Sequence, residues 1–317
     1  MKIVFLDQDT VVLNGDVDLS GLESLGEYEA HELAPADDPV PCSTHAEVVI
    51  VNKVRMTRER IEKLPDLKLI GVAATGYDNV DIEAARERGI HVTNVAGYAR
   101  DSVVQHVFSM ILGFATRIHD YRQDVRAGEW QKSKSFHLLK YETFELHGRT
   151  LGVVGFGSIG RGVVEIAEAF HMKVMVHDAV DISSTGYKNY SLDEVLMQSD
   201  FVSVNCPLTE QTRNLIDARS FEKMKSTAFL INTARGGIVN EEDLAVALNR
   251  GLIAGAGVDT LSKEPPGGGN PLLGKMKNLI ITPHCAWSTR ESRQRLMDAL
   301  VQKVEQYRRG DYEGFIV

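Results

Sequence analysis

Short apolar runs rich in β-branched residues alternate with stretches of helical periodicity along most of the chain. The runs that predict strands are Lys2–Leu6, Val48–Val51, Leu67–Ala73, His91–Asn94, Thr150–Val154, Lys173–His177, Phe201–Asn205, Phe229–Asn232, Ala254–Val258 and Leu279–Thr282. Between them, helices are predicted at Arg58–Leu64, Ile82–Arg88, Leu192–Gln198 and Glu241–Asn249. This alternation is typical of βαβ units with parallel sheets covered by helices on both faces.

Two long helical stretches interrupt the alternation. The first, Arg100–Gly128, contains no predicted strand, and the second, Ser288–Gly310, follows the last predicted strand. A chain of 317 residues is long for a single core. We therefore expect one domain formed by residues 1–98 and 288–317, and a second formed by residues 99–287.

Composition and charge narrow the class of protein. The residues are 43% hydrophobic and 25% charged, as in ordinary soluble proteins, and a net charge of −9 argues against a nucleic-acid partner. Lys2 leads directly into an apolar run too short for a signal peptide, and the run Val103–Ala115 is broken by Gln105 and His106. The three cysteines have no paired spacing. We expect a cytoplasmic protein without a membrane span.

A glycine-rich segment, TLGVVGFGSIGRGV, places Gly155, Gly157 and Gly160 in the G-x-G-x-x-G spacing. The spacing alone is common, but here it follows the predicted strand Thr150–Val154 and opens a predicted helix, Ser158–Phe170. The first glycine permits a tight turn, the second lets the backbone approach a pyrophosphate, and the third allows close packing of helix on strand. The helix N-terminus adds N–H groups that favour phosphate. The segment predicts a dinucleotide-binding site.

Asp178 ends the strand that follows this helix, 18 residues after Gly160. A carboxylate there can accept hydrogen bonds from both hydroxyls of an adenosine ribose. The next residues, Ala179-Val180-Asp181, include no arginine or lysine that could bind a 2′-phosphate. We therefore expect NAD rather than NADP as the cofactor.

Three further polar residues follow successive predicted strands. Arg235 comes after Phe229–Asn232, Glu264 lies five residues beyond the strand-end Asp259, and His284 follows the last predicted strand. Open α/β sheets bind ligands at the carboxyl ends of their strands. A lone residue of this kind is usually a solvated loop residue, but three in succession behind a dinucleotide fingerprint predict a catalytic group.

Together with the glycine loop and Asp178, these residues resemble the D-isomer-specific 2-hydroxyacid dehydrogenase family. The resemblance covers nearly the whole chain: GVAATGYDNVDIEAARERGIHVTNVAG is similar to the family's substrate loop, CPLTEQTRNLI to its cofactor-flanking turn, and NTARGGIVNEEDL and HCAWST match in wording and order. The segments NK (52–53), SVVQH (102–106) and AW (286–287) are most similar to the glycerate dehydrogenase/hydroxypyruvate reductase branch. Gln105 and Cys285 depart from the family's usual glutamate and bulkier apolar residue, which leaves substrate detail open.

The resemblance implies two doubly wound parallel-sheet α/β domains, a Rossmann-type cofactor domain and a flavodoxin-like substrate domain, with a cleft between them. Beyond the glycines and Asp178, it implies cofactor contacts from Ser158, Ile159, Cys206, Pro207, Thr212, Thr233, Ala234, Asp259, Val104, His284 and Ala286. It implies substrate contacts from Thr75, Gly76, Lys53, Arg235, His284 and Trp287.

The residue types suit the reduction of a 2-keto acid. The reaction requires a hydride, a proton for the carbonyl oxygen and a cation for the carboxylate. His284 can donate the proton as imidazolium, and a neighbouring Glu264 would favour the protonated ring and orient it. Arg235 offers a fixed cation with fork geometry, and Gly236 and Gly237 predict a backbone turn that directs it towards the cleft.

Other classes of function remain open. Another D-2-hydroxyacid dehydrogenase, D-lactate-like or acting on phosphoglycerate, would use the same residues, and a non-catalytic NAD-sensing protein similar to transcriptional co-repressors of this fold could retain them. We expect neither a long disordered flank for partner motifs nor a regulatory extension after the last predicted helix. Both expectations favour an enzyme acting on a small 2-keto or 2-hydroxy acid.

The remaining candidates are interpreted as structural. Cys285 adjoins His284, but neighbours on an extended chain point to opposite sides, and no C-x-x-C or H-E-x-x-H spacing occurs, so we predict no metal site. His106 and His119 are interpreted as structural, and Cys206 as small apolar filling in a cofactor-side turn.

We also expect a homodimer. The run Val103–Ala115 predicts more burial than one small domain requires, and the resemblance implies that this helical region contacts a partner subunit.

Overall fold

The computed structural model describes residues 1–274, 276 and 278–317. The chain divides into two compact units. The first unit is formed by Met1–Ala99 with Trp287–Val317, and the second unit by Arg100–Ala286. The strands are β1 (Lys2–Phe5), β2 (Glu27–Ala30), β3 (Val48–Val51), β4 (Leu69–Val72), β5 (His91–Asn94), β6 (Thr150–Val154), β7 (Lys173–His177), β8 (Phe201–Val204), β9 (Phe229–Asn232), β10 (Gly255–Val258) and β11 (Leu279–Ile281). The helices are α1 (Ser20–Glu23), α2 (Val40–Ser43), α3 (Arg58–Glu62), α4 (Ile82–Glu87), α5 (Arg100–Thr116), α6 (Ile118–Arg126), α7 (Ser158–Ala169), α8 (Leu192–Gln198), α9 (Ala218–Lys223), α10 (Glu241–Arg250) and α11 (Arg290–Arg308).

The unit that contains both ends of the described chain is built on a parallel sheet with the order β2-β1-β3-β4-β5. This is the flavodoxin-like order, which reverses between β1 and β3. Every residue of β3 and β4 is buried, as their continuous apolar sequences predict. Helix α11 packs closely on the sheet, since a Cβ added at Gly71 would lie 3.4 Å from the Leu300 side chain.

The other unit is built on a parallel sheet with the order β11-β10-β9-β8-β6-β7. A parallel bridge between Val176 and Asn189 extends it beyond β7. The order reverses between β6 and β8, as in a Rossmann fold. Alternate residues of β8 face two different core clusters, with Phe201 packed among side chains of α5 and α7 and Val202 among those of α8 to α10. The predicted fold class of two parallel-sheet α/β domains is confirmed.

The sequence pattern missed strand β2. Its sequence, EYEA, has no apolar run, and its residues are half-buried or exposed. The strand forms one edge of its sheet through backbone pairing with β1, and the Glu29 carboxylate lies 2.9 Å from Lys2 Nζ. Pairing with a neighbour, which a local pattern does not record, decides the conformation of this segment.

The predicted single helical stretch from Arg100 to Gly128 is wrong in one respect. Arg117 adopts a left-handed conformation, with φ of 54°, and separates α5 from α6. The expectation that Val103–Ala115 needs a partner for burial is also wrong. Apart from the partly buried Leu112, the apolar side chains of this run, among them Val107 and Phe114, are buried within their own unit.

Across residues 1–274, 276 and 278–317, the helices lack the combination of length and apolar character that crossing a bilayer requires.

Candidate active site

The glycine loop joins β6 to α7, as its spacing predicts. Gly155 has a φ of +95°, and a Cβ there would lie 2.5 Å from the backbone nitrogen of Cys206. A Cβ on Gly160 would lie 2.1 Å from the carbonyl oxygen of Gly155. The first and third glycines are therefore required by the turn and by close packing of the helix on the loop.

Gly157 differs from the other two glycines because its surroundings are open. It is the N-cap of α7, and a Cβ added there would lie more than 4 Å from the described atoms around it. The backbone N–H groups at the start of this helix can bind an anionic ligand. The loop thus has the open face and the donors that a pyrophosphate requires.

Asp178 follows β7 and is half-buried beside the glycine loop. Its Oδ2 accepts a hydrogen bond from the backbone N–H of Phe156 at 2.6 Å, and its Oδ1 accepts one from Val180 at 3.0 Å. Each oxygen retains a second lone pair, so the carboxylate can brace the loop and also accept bonds from a ribose. The sequence did not predict the bracing contact.

The other expected cofactor residues lie mostly on loops at the carboxyl ends of the strands of this unit. Thr212 Oγ1 donates to the carbonyl oxygen of Pro207 at 2.6 Å and stabilises the turn after β8. Burial raises the pKa of the Cys206 thiol to about 11, so it stays protonated at neutral pH. Val104 is buried on α5. It packs where α5 meets α7, since a Cβ added at Gly162 of α7 would lie 2.7 Å from its side chain. Ser158 and Ile159 begin α7, while Thr233 and Ala234 follow β9.

Glu264 and His284 are in direct contact. His284 Nδ1 lies 2.6 Å from Glu264 Oε2, and Glu264 Oε1 accepts the backbone N–H of Leu261 at 2.8 Å. Both side chains keep roughly a third of their surface exposed, at 31% and 33%. The carboxylate is anchored to its own loop and orients the imidazole, which is the arrangement of a general acid–base histidine.

His284 is not on an extended segment, which corrects one premise of the sequence argument. Its φ is 52°, and its N–H donates to the carbonyl oxygens of Asp259 at 2.8 Å and Thr282 at 3.0 Å. The reasoning that Cys285 must point away from His284 therefore loses its basis. The turn is fixed by the backbone contacts of the histidine.

Asp259, 1% exposed at the end of β10, holds the segment around His284. Its Oδ1 accepts hydrogen bonds from Thr282 Oγ1 at 2.5 Å and from the N–H of Cys285 at 3.0 Å, and its Oδ2 accepts the N–H of Ala286 at 3.0 Å. One buried carboxylate thus fixes the loop that carries the imidazole. The backbone of Ala286 is bound to this carboxylate, and its side chain is buried.

Arg235 follows β9 and its side chain is exposed. The backbone turns directly after it, in a 3-10 helix at Gly236–Ile238, as the two glycines predict, although neither glycine has a positive φ. A Cβ on Gly236 would lie 2.0 Å from the carbonyl carbon of Leu261, so this glycine allows two loops to touch. Since Leu261 is hydrogen-bonded to Glu264, the packing ties the Arg235 loop to the Glu264–His284 pair.

His106, Asp259 and Cys285 form a group whose ligand atoms lie within 4.8 Å of one another. His106 Nε2 lies 2.9 Å from Thr282 Oγ1, so it joins the same network around Asp259. The Asp259 oxygens accept the three bonds already described, and burial raises the pKa of the Cys285 thiol. The contacts of this group serve to hold the His284 loop.

In the first unit, the expected substrate residues follow two adjacent strands. Lys53 is exposed between buried neighbours after β3. Thr75 and Gly76 follow β4, and Asn94 Nδ2 donates to the carbonyl oxygen of Thr75 at 2.6 Å. The ring of Trp287, by contrast, packs edge-on against Tyr98 with centroids 6.2 Å apart.

Sequence reasoning missed Asp7, whose buried carboxylate binds the backbone of the Lys53 loop. The signal was present, because Asp7 directly follows an apolar strand, as Asp259 does. A position directly after an apolar strand was the criterion for Asp259, and it would also have selected Asp7.

Comparison with known proteins gives a consistent result. Residues 108–286 match the model of the D-isomer specific 2-hydroxyacid dehydrogenase NAD binding domain. Over 317 residues, the chain is 39% identical to a hydroxypyruvate reductase of Blautia hydrogenotrophica, covering 98% of each chain. It is 40% identical to a glycerate dehydrogenase of Methylorubrum extorquens, covering 99% of this chain and 98% of that one. It also resembles the crystal structure of D-lactate dehydrogenase from Aquifex aeolicus complexed with NAD and lactic acid, with a TM-score of 0.82, 31% identity and 99% of each chain covered.

Proposed function

Because the chain belongs to the D-isomer-specific 2-hydroxyacid dehydrogenase family, we propose that it reduces a small 2-keto acid with NADH and oxidises the matching D-2-hydroxy acid in reverse. Hydroxypyruvate is a favoured substrate because relatives that match nearly the whole chain are named hydroxypyruvate reductase and glycerate dehydrogenase, and glyoxylate is favoured because other relatives are named glyoxylate reductase. The observation that carries the proposal is the 2.6 Å contact between His284 and Glu264.

The second unit carries the cofactor. Its residues fit a dinucleotide, because Gly157 leaves an open face beside the start of α7 and Asp178 presents a half-buried carboxylate at the end of β7. NADH supplies the hydride for the reduction. The carboxylate of Asp178 would repel a 2′-phosphate, which supports a preference for NAD over NADP.

His284 holds and transfers the proton. With Nδ1 engaged by Glu264, the proton for the substrate is carried at Nε2. Glu264 orients the ring, which donates this proton in reduction and accepts it as the neutral base in oxidation.

Arg235 binds the substrate and stabilises charge on its carbonyl oxygen. Its guanidinium can bind a carboxylate with two parallel hydrogen bonds, which a lysine cannot do. The substrate carboxylate is also bound by Lys53 and by the backbone N–H groups of Thr75 and Gly76.

A turnover assay tests the proposal directly. Hydroxypyruvate, glyoxylate and pyruvate should each be offered with NADH and with NADPH, and loss of absorbance of the reduced cofactor recorded. We expect the highest kcat/KM for hydroxypyruvate or glyoxylate with NADH. Tight NADH binding without turnover of any 2-keto acid would instead favour an NAD-sensing binding protein.

We further propose that the enzyme is a cytoplasmic homodimer. Exposed apolar side chains between α6 and β6, Trp130 at 50%, Phe136 at 88% and Leu139 at 84%, support a second copy as the partner of this segment. The three cysteines are reduced, which fits the cytosol. Sedimentation at micromolar concentration should give a dimer, and Phe136→Ser with Leu139→Ser should shift it towards monomer. A wild-type monomer would contradict the proposal.

A further inference from the structure

The carboxylate of Asp7 lies fully buried just after β1 and binds three consecutive backbone N–H groups. Its Oδ1 accepts from Asn52 at 2.8 Å, while its Oδ2 accepts from Lys53 at 2.5 Å and from Val54 at 3.0 Å. These residues form the first turn after β3, which we call the 52–54 loop. One side chain therefore fixes the direction in which the chain leaves the strand.

The opposite side of the 52–54 loop is held as well. Asn79 Nδ2 donates to the carbonyl oxygens of Asn52 at 3.4 Å and Val54 at 2.9 Å. The side chain of Asn52 donates to Thr10 Oγ1 at 2.9 Å. All three N–H groups of the loop and the C=O groups of Asn52 and Val54 are bound to neighbouring segments, which restrains the backbone.

The position of Asp7 in the sheet points to a ligand. The strand order reverses between β1 and β3, and in open α/β sheets ligands bind at the carboxyl ends of the strands where the order reverses. Asp7 and the 52–54 loop occupy those two ends. Asn52 and Val54 are buried, whereas Lys53 between them is exposed. The loop is thus held in the conformation that presents the lysine outwards.

Burial opposes ionisation of the Asp7 carboxyl, while the bonds from the 52–54 loop favour it. Burial raises the pKa of Asp7, although the bonds from Lys53, Asn52 and Val54 oppose the shift. A group whose pKa is raised by folding stabilises the protein only at low pH, and this contribution is lost as pH rises through the folded-state pKa. The pKa shift therefore adds no stability at neutral pH, where three backbone bonds hold the side chain in place.

We propose that Asp7 is a positioning residue that orients Lys53 towards the carboxylate of the 2-keto acid substrate. This inference rests on the proposed function. The carboxylate of Asp7 is fully buried and bound to the 52–54 loop, and its effect on the substrate is transmitted through that loop.

The test compares Asp7→Asn with a matched control, Asp16→Asn. Asp16 is a carboxylate of the same unit that accepts the N–H of Leu13 and pairs with Arg293, outside the 52–54 loop. Asp7→Asn keeps the shape of the side chain but replaces one acceptor with a donor facing N–H groups. We expect the KM for hydroxypyruvate to rise about tenfold, the worth of one charge-assisted hydrogen bond, with a smaller change in kcat. Asp16→Asn should leave KM unchanged.

A double variant distinguishes an effect transmitted through Lys53 from a general loosening of the substrate site. In a Lys53→Met background, Asp7→Asn should raise KM by less than about twofold, because its effect passes through the lysine. An equal rise in both backgrounds, or an unchanged KM in folded Asp7→Asn, would overturn the proposal.

Amide hydrogen exchange distinguishes failure of this inference from failure of the proposed function. Exchange in the segment 50–56 should be faster in Asp7→Asn than in Asp16→Asn. If the wild-type protein reduced none of the 2-keto acids, the proposed function would fail, and exchange alone would decide whether Asp7 holds the loop. Equal exchange in the two variants would then show that Asp7 does not hold the 52–54 loop.

Discussion

Asp259 and His284 are joined through the backbone, since the carbonyl oxygen of Asp259 accepts the N–H of His284 at 2.8 Å. The side chain of the same aspartate binds the N–H groups of the next two residues. The histidine is therefore oriented twice, through its backbone by Asp259 and through its ring by Glu264.

Replacing His284 with alanine should remove the proton donor and leave the cofactor loop intact. We expect kcat for hydroxypyruvate reduction to fall by about 10² to 10⁴, the usual contribution of general acid–base catalysis. The Kd for NADH, followed by fluorescence, should change little. His119→Ala, at an exposed histidine of α6, should retain near-native turnover. Near-native turnover in His284→Ala would make the histidine an ordinary strand-end residue.

Replacing Glu264 with glutamine should lower kcat for reduction. The amide can still bond to the imidazole, but the charge-assisted hydrogen bond between the carboxylate and the ring is lost. We expect kcat for hydroxypyruvate reduction to fall, with little change in the Kd for NADH. Glu242→Gln, an exposed first-turn glutamate of α10 in the same unit, should leave kcat unchanged. An unchanged kcat in Glu264→Gln would exclude an electrostatic role for Glu264.

Replacing Asp178 with alanine should reduce the preference for NADH over NADPH. The change removes an acceptor for the ribose hydroxyls and the charge that repels a 2′-phosphate, so KM for NADH should rise about tenfold or more. KM for NADPH should change less. Asp181→Ala, three residues away, serves as the control. A wild-type enzyme that used NADPH as well as NADH would show that Asp178 does not set the preference.

Acid should lower the free energy of unfolding of the first unit because Asp16 becomes protonated. The guanidinium of Arg293 lowers the pKa of this carboxyl from 3.8 to about 2. A pKa lowered by folding stabilises the protein above the unfolded-state pKa, and the contribution is lost as pH falls from about 4 to about 2. The urea midpoint of Asp16→Asn should therefore be lower than that of wild type at pH 6, and the gap should shrink by pH 3. Asp298→Asn, at an exposed position of α11, should show no such convergence.

Most of the fold could be predicted from the sequence because buried parallel strands are continuous apolar runs. Ten strands follow such runs to within a few residues, β3 and β9 among them. Strand β2 carries no such run, and its conformation comes from pairing with β1. The break at Arg117 also has no local mark, since no glycine or proline adjoins it.

The residues of the candidate site could be selected from the sequence, but their contacts could not. Arg235, Glu264 and His284 stand out because each follows a strand. The contact between Gly236 and Leu261 and the left-handed turn at His284 depend on how separate loops pack. Such relationships are tertiary, and spacing along the chain carries no record of them.

The last residues of the described chain extend the sheet of the first unit. Ile316 donates its N–H to the carbonyl oxygen of Val92 on β5 at 2.7 Å, and Val92 donates to Val317 at 3.1 Å. The ring of Tyr312 stacks on His91 with centroids 3.9 Å apart and helps to hold this segment in place. An uncovered strand edge is a template for adding strands from other molecules. Residues 316–317 cover β5 at one edge of this sheet, and β2 at the other edge carries two glutamates. Both features protect the sheet against edge-to-edge aggregation. The protection of β5 depends on residues 312–317 remaining docked.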